Sequence, residues 1–326
     1  MTDWILFVHG DSDGVVSGAL AYYYYTSRGY SVDVYFTHPA GLLNDLREFW
    51  RRGSNVFIAD IALSEPHLND LIRLLGELSR EVEVIYIDHH PEPLAIKPSS
   101  LPCTVVHDEC CSASELVYRY FSERGLERDY SRIALYGAIG DYLDETSWVR
   151  ENLVNWDKRS IYFEAGVLVQ GLEGSRRLYD FKRRILKLLA RNELPSSDPE
   201  LVLRALVQSR RDEELRLEIK SSVEVHGYVA VVPEPNGSLG RAANYARVYG
   251  GVPVGLAYEV RGDKLIMSLR SNTVDLNRIL RIVAPRVGGT GGGHRFAAGA
   301  RIPRNRFEEF LLLLNREIEK QASVNY

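Results

Sequence analysis

Three short apolar runs near the N-terminus each end in a carboxylate or an imidazole. Trp4 to Val8 leads into His9-Gly10-Asp11-Ser12-Asp13-Gly14, Val56 to Ala59 leads into Asp60, and Val84 to Ile87 leads into Asp88-His89-His90. Runs that are apolar at consecutive positions read as strands buried on both faces, as in a parallel sheet, and open α/β sheets gather ligands outside the carboxyl ends of their strands. The three segments are therefore expected to converge. Asp141, in Gly137-Ala138-Ile139-Gly140-Asp141-Tyr142, closes another small apolar stretch and is a fourth candidate. Two imidazoles and four carboxylates at one edge repel one another and are costly to desolvate unless cations lie between them. The residues point to a metal site.

Strand-like and helical patterns alternate through the first half, with helical stretches at 15–27, 41–52, 65–80 and 112–124 and a second strand at 31–36. Such alternation predicts a doubly wound parallel sheet. The Tyr22-Tyr23-Tyr24-Tyr25 run reads as core and helix-face packing. From 156 to 220 the strand signal fades and the chain becomes helical and charged. Leu178, Phe181, Ile185 and Leu188 share one helical face, with Arg177, Arg184, Lys187 and Arg191 near another. This face is either a solvated side of a connector helix or a track for a phosphate backbone. A break at 192–197, followed by the helix start Asp198-Pro199-Glu200, is a candidate hinge. Beyond residue 220, strands at 228–232, 252–259 and 264–270 and helices at 239–249, 275–284 and 305–321 predict a second, smaller α/β domain. The expected architecture is thus an α/β chain of two domains, 1–155 and 221–326, joined by a helical connector, 156–220.

A length of 326 residues and 45% hydrophobic residues leave material for a core in each domain. No stretch approaches the ~20 uncharged apolar residues needed to cross a bilayer, and no basic-then-apolar leader opens the chain, so no membrane association and a cytoplasmic location are expected. Cys103, Cys110 and Cys111 lack metal-ligand spacing and read as reduced core thiols. A net charge of −4 does not advertise nucleic-acid binding, although bound cations would offset the acidic ligands locally.

The His9-to-Gly14 segment, Asp60, Asp88-His89-His90 and Asp141, with Gly291-Gly292-Gly293-His294 near the end, resemble the DHH phosphoesterase superfamily, in the subgroup with a DHHA1 C-terminal domain. The resemblance covers nearly the whole chain, and archaeal RecJ-like nucleases carry a similar opening motif. It implies a DHH metal-binding catalytic domain followed by a DHHA1 substrate-binding domain. It further implies His9 and Asp11 on one cation, Asp13, His89 and Asp141 on another, and Asp60 bridging both. Asp88 would orient a neighbouring imidazole, and His90 would face substrate phosphate. Alone, Asp11 or Asp13 would read as a turn residue or helix N-cap, and Asp60 as a loop carboxylate; their joint placement favours the metal reading. His38, His67, His107 and His226 lack a convergent setting and read as structural or surface residues.

Hard carboxylates with a few imidazoles suit Mn²⁺, with Mg²⁺ second, and the absence of thiolates argues against zinc. Two such cations can activate water, neutralise phosphoryl oxygens and stabilise a leaving alkoxide. The glycine run either offers backbone amides to a phosphate or makes a tight connection. In the DHHA1 resemblance, Gly291, Gly292, Gly293 and His294 join Arg270 of Ser268-Leu269-Arg270-Ser271-Asn272 as substrate-binding residues, with Asn244 and Arg295 as weaker candidates. The implied activity is that of a manganese-dependent exonuclease or phosphodiesterase on single-stranded DNA or RNA. Hydrolysis of very short oligonucleotides, phosphoadenosine phosphate or cyclic dinucleotides is the alternative, and a non-catalytic replication or repair scaffold is a third reading. A helicase or replisome protein is the kind of partner the resemblance allows.

Overall fold

The computed structural model describes residues 2–175 and 177–324. Two compact units divide at Gln208 and Ser209. The first contains β1 (Trp4–His9), α1 (Ser12–Thr26), β2 (Val32–Thr37), α2 (Leu42–Phe49), β3 (Asn55–Ala59), α3 (Leu68–Leu78), β4 (Val84–Asp88), β5 (Thr104–His107), α4 (Ala113–Ser122), α5 (Ser131–Gly140), α6 (Ser147–Leu153), α7 (Lys158–Glu173) and α8 (Tyr179–Ala190). A long helix, α9 (Pro199–Ser222), begins there. The five strands are parallel, in the order β2-β1-β3-β4-β5.

Alternation of side chains along these strands feeds two cores. Leu6, Val8, Phe57, Ala59, Ile85 and Ile87 join a cluster with α1, α4, α5, α7 and α8, whereas Ile5, Phe7, Val56, Ile58, Val84 and Tyr86 meet α2 and α3. Burial on both faces explains why the sequence shows unbroken apolar runs rather than a period of two. From β1 the chain goes to one side to form β2, and then crosses to the other side for β3. The gap above β1 and β3 is thus the topological switch point, where such sheets bind ligands. The tyrosine run packs as expected: Tyr25 stacks on Trp4, Tyr23 on Tyr130 and Tyr24 on Phe121.

Five expectations need correction. Residues 158–190 do not stand apart as a connector; Ile161, Leu168, Phe181, Ile185 and Leu189 belong to the first unit's core. The division between units falls within α9, not in the loop at 192–197, and Asp198 Oδ1 caps α9 by accepting from Leu201 N at 2.9 Å. Leu178, just before α8, is exposed. On the polar side of α8, Arg184 pairs with Glu200 and Asp198 and Arg191 with Glu193; acids held this close offset the positive charge a phosphate track needs. Of the cysteines, only Cys111 is buried; Cys110 is exposed.

The second unit contains β6 (Glu224–His226), β7 (Val229–Pro233), α10 (Leu239–Gly250), β8 (Val254–Arg261), β9 (Lys264–Ser271), α11 (Leu276–Arg286), β10 (Thr290–Gly293), β11 (Ala297–Pro303) and α12 (Phe307–Val324). Its mixed sheet runs β10-β11-β9-β8-β7-β6, with β7 and β8 parallel and the other pairs antiparallel. Leu265, Met267 and Leu269 of β9 pack with α11 and α12, while Ala230, Val232 and Ala257 meet small residues of α10. No helix among the described residues is long and apolar enough to cross a membrane.

Candidate metal centre

The loop after β1 is built by its own hydrogen bonds. Asp11 is the N-cap of α1, its Oδ1 accepting from Gly14 N at 3.0 Å, while its Oδ2 lies 2.7 Å from His9 Nδ1. Capping thus uses one oxygen of Asp11 and leaves the other beside His9. Asp11 raises the pKa of His9, with burial opposing it. Gly14 is required by close approach: a Cβ there would lie 2.4 Å from the His9 carbonyl oxygen. Asp13 points into the protein, where its Oδ2 accepts from Ala113 N at 2.7 Å and its Oδ1 from Ser114 N at 3.0 Å. It thereby serves as an anion at the N-terminus of α4. A carboxylate offers about four lone-pair sites, so two such bonds leave room for a further ligand.

Asp60 follows β3 in a left-handed conformation, φ 60°, which a non-glycine residue adopts rarely and at a cost. Its amide still bonds to Ile87 O at 3.1 Å, which fixes it beside the end of β4. The two carboxylate oxygens face different imidazoles: Oδ2 lies 3.7 Å from His9 Nδ1, and Oδ1 lies 3.3 Å from His89 Nε2. His89 Nε2 is also 3.4 Å from Asp141 Oδ2 and 3.8 Å from Asp13 Oδ2. Asp141 reaches this point as the C-cap of α5, so its apolar lead-in is a helix.

Within the first unit three groups could hold a metal ion: His9 with Asp11 and Asp60, Asp13 with His89 and Asp141, and Asp60 with Asp88 and His90. Burial, then the charges of Asp11, Asp13, Asp141 and Asp88, push the Asp60 pKa well above the ordinary carboxylate range. Buried Asp60 Oδ2 accepts no hydrogen bond among the described residues. A carboxylate in this predicament fits a bound cation, which would supply the missing partner and favour its ionised form. Burial lowers the His89 pKa, keeping its imidazole in the neutral form a cation requires.

Asp88 and His90, which border Asp60, also pair with each other. Asp88 Oδ1 lies 2.8 Å from His90 Nδ1, and Tyr86 Oη donates to Asp88 Oδ2 at 3.0 Å. Burial opposes ionisation of both, but their mutual attraction prevails, holding Asp88 down at about 2 and lifting His90 to about 9.

In the second unit, the glycine run is a strand. Gly291, Gly292 and Gly293 pair with Ala300, Gly299 and Ala298 of β11. A Cβ at Gly291 would sit 3.1 Å from those of Ala284 and Leu280, so absence of a side chain lets α11 lie against β10. Gly293 N donates to Asn277 Oδ1 at 3.2 Å. The run therefore has a packing role in addition to any ligand role. Arg270 is half-buried, its guanidinium against Gly240 at the start of α10. His294 N donates to Ala297 O in the turn between β10 and β11.

The sequence matches the profile of the DHH family, N-terminal domain, over residues 4–139 and that of the DHHA1 domain over residues 227–320. The chain belongs to the DHH/DHHA1 phosphoesterase superfamily. No curated protein matches it. Among solved structures it is similar to RecJ from Thermus thermophilus in complex with Mn²⁺, at 19% identity and a TM-score of 0.68, covering 97% of this chain and 52% of that one. It thus spans about half of that RecJ. It is also similar to an exonuclease RecJ bound to manganese, at 18% identity and TM-score 0.64, covering 97% and 90% of the two chains. A third is the pGpG-specific phosphodiesterase PggH from Vibrio cholerae, at 14% identity and TM-score 0.56, covering 98% and 99%.

This DHH phosphoesterase chain supports its cluster with residues that carry no sequence signal. His107, read from sequence as structural or surface, ends β5 with Nε2 2.7 Å from His90 O and so fixes the backbone of the Asp-His-His turn. Lys182 of α8 is buried and donates to Gly10 O, between His9 and Asp11. Burial lowers its pKa, with Asp11 opposing that shift. Lys182→Met should leave the Gly10 carbonyl without its donor, a loss on the order of 1–3 kcal/mol, and urea unfolding of the cation-free protein would register it as a lower midpoint.

Proposed function

We propose that the protein is a manganese-dependent exonuclease or phosphodiesterase that hydrolyses single-stranded DNA or RNA with two cations. The observation that carries this reading is Asp60, whose oxygens face His9 on one side and His89 on the other, with Oδ2 lacking a hydrogen-bond donor. In this reading His9 and Asp11 hold one cation, Asp13, His89 and Asp141 the other, and Asp60 both. Bound by these residues, the cations would supply Lewis acidity toward the phosphoryl group and a lowered pKa for the attacking water. Manganese is preferred because the donors are carboxylates and imidazoles, and the two RecJ structures contain it.

The chain's own groups do the rest. Asp88 keeps His90 oriented and favours its protonated form, so that its imidazolium can donate to a phosphoryl oxygen or to the leaving alkoxide. His107 holds that imidazole's backbone in place. In the second unit Arg270 and His294 are the proposed phosphate-binding side chains, with Gly291, Gly292 and Gly293 as the strand that leads to His294. A helicase or replisome protein remains the proposed class of macromolecular partner.

The test is a time course on end-labelled single-stranded DNA and RNA of several lengths with Mn²⁺, Mg²⁺ or chelator. A ladder of shortened products with Mn²⁺ that chelator abolishes is the expected result. Turnover restricted to two-to-four-nucleotide substrates would replace this reading with the short-oligonucleotide one. No turnover by folded, Mn²⁺-loaded protein on any length would leave the scaffold reading.

A further inference from the structure

Four helices of the first unit end in the same hydrogen-bonded turn, and one of them ends in the wrong residue. After α1, Tyr30 N bonds to Tyr25 O and Gly29 N to Thr26 O; after α4, Leu126 N bonds to Phe121 O and Gly125 N to Ser122 O. After α8, Glu193 N bonds to Leu188 O and Asn192 N to Leu189 O; after α5, Leu143 N bonds to Ala138 O and Tyr142 N to Ile139 O. Each pair closes the helix with one residue in the left-handed region: Gly29 at φ 86°, Gly125 at 90°, Asn192 at 57° and Tyr142 at 60°. Glycine fits there without steric cost and asparagine tolerates it, whereas a bulky side chain does not.

Packing does not compensate for the tyrosine. Its side chain is 88% exposed, more than any other large hydrophobic among the described residues. A strained backbone and an unburied ring both work against stability. The neighbouring residue supplies the missing reason. Asp141 directly precedes it, with its carboxylate 3.4 Å from His89 Nε2 inside the cluster. The turn that delivers Asp141 to the cluster therefore leaves the aromatic ring of the very next residue in solvent.

We infer that Tyr142 is a base-stacking residue, on whose ring the nucleobase next to the scissile phosphate lies. Stacking on an exposed aromatic is tolerant of base identity, because every base offers a π-face. The inference rests on the proposed nuclease activity and names how that site holds a nucleotide.

The experiment compares wild type, Tyr142→Phe and Tyr142→Gly, loaded with Mn²⁺, on a single-stranded oligonucleotide and on the same strand with abasic terminal nucleotides at both ends. In the wild type and Tyr142→Phe, removing the terminal bases should raise KM about tenfold, with little change in kcat. Tyr142→Gly should show the raised KM on both strands and melt no lower than wild type. Equal KM values for wild type and Tyr142→Gly on the intact strand overturn the inference. So does a lowered melting temperature with equal losses on both strands, which would make the ring a structural element. Failure of the wild type to cleave either strand sinks the nuclease reading itself, whereas cleavage indifferent to residue 142 sinks only this assignment.

Discussion

Asp60→Asn is expected to abolish hydrolysis, by about 10³-fold or more, on the scale of losing a principal electrostatic stabiliser of the transition state, while leaving the cation-free protein folded and more heat-resistant than the parent. The two halves of this expectation have one cause. Asparagine keeps the shape and tolerates the left-handed backbone at this position, so the substitution removes the ionisable group with little change in geometry. The carboxylate is buried among four others that push its pKa well upward. The folded state therefore holds a proton there to a higher pH than the unfolded chain does. Stability contributed by that proton is lost as pH rises from the ordinary carboxylate range through the folded value. The parent should consequently lose stability with rising pH when cations are removed, and regain it on adding Mn²⁺; Asp60→Asn should show neither response. Calorimetric melting with chelator and with Mn²⁺, at several pH values, reads both. A parent protein whose melting temperature ignores Mn²⁺ would remove the basis for assigning Asp60 to cations.

Gly14→Ala should have the largest effect on folding. The added Cβ would meet the oxygen, carbonyl carbon and Cα of His9, at 2.4, 2.7 and 2.8 Å. All three are backbone atoms of a buried strand's end, so no side-chain rotation relieves the clash. A loss of about 3 kcal/mol or more is expected, with His9 and Asp11 displaced together because Asp11 caps the helix through Gly14 N. Chemical unfolding would measure the loss; a stability within ~0.5 kcal/mol of the parent would show that the loop can shift at little cost.

The strand ends and their carboxylates were legible because a strand buried on both faces leaves an unbroken apolar run, and because β1, β3 and β4 all have one. The same logic hid other parts. Helix α5 is buried nearly all round, so no polar stripe marks it as helical, and its product Asp141 could be linked to the cluster only by motif. Residues 158–190 alternate polar and apolar faces as a free connector would, and only the long-range fit of Ile161, Phe181 and Ile185 into the first core shows otherwise. The glycine run was legible as a site for close approach, but what approaches Gly291 is α11. His107 and Lys182 act by single hydrogen bonds to backbone carbonyls of residues distant in sequence, a role that depends on the folded path and has no local pattern.

Asp13 takes its two backbone hydrogen bonds from residues one hundred and one hundred and one positions further along the chain. A nascent or truncated polypeptide that stops before Ser114 lacks at least one of the donors that stabilise this acid. Ribosome-bound intermediates of that length should therefore remain immature around β1, however well their strands have paired, and maturation of the acidic loop becomes a late event tied to the docking of α4.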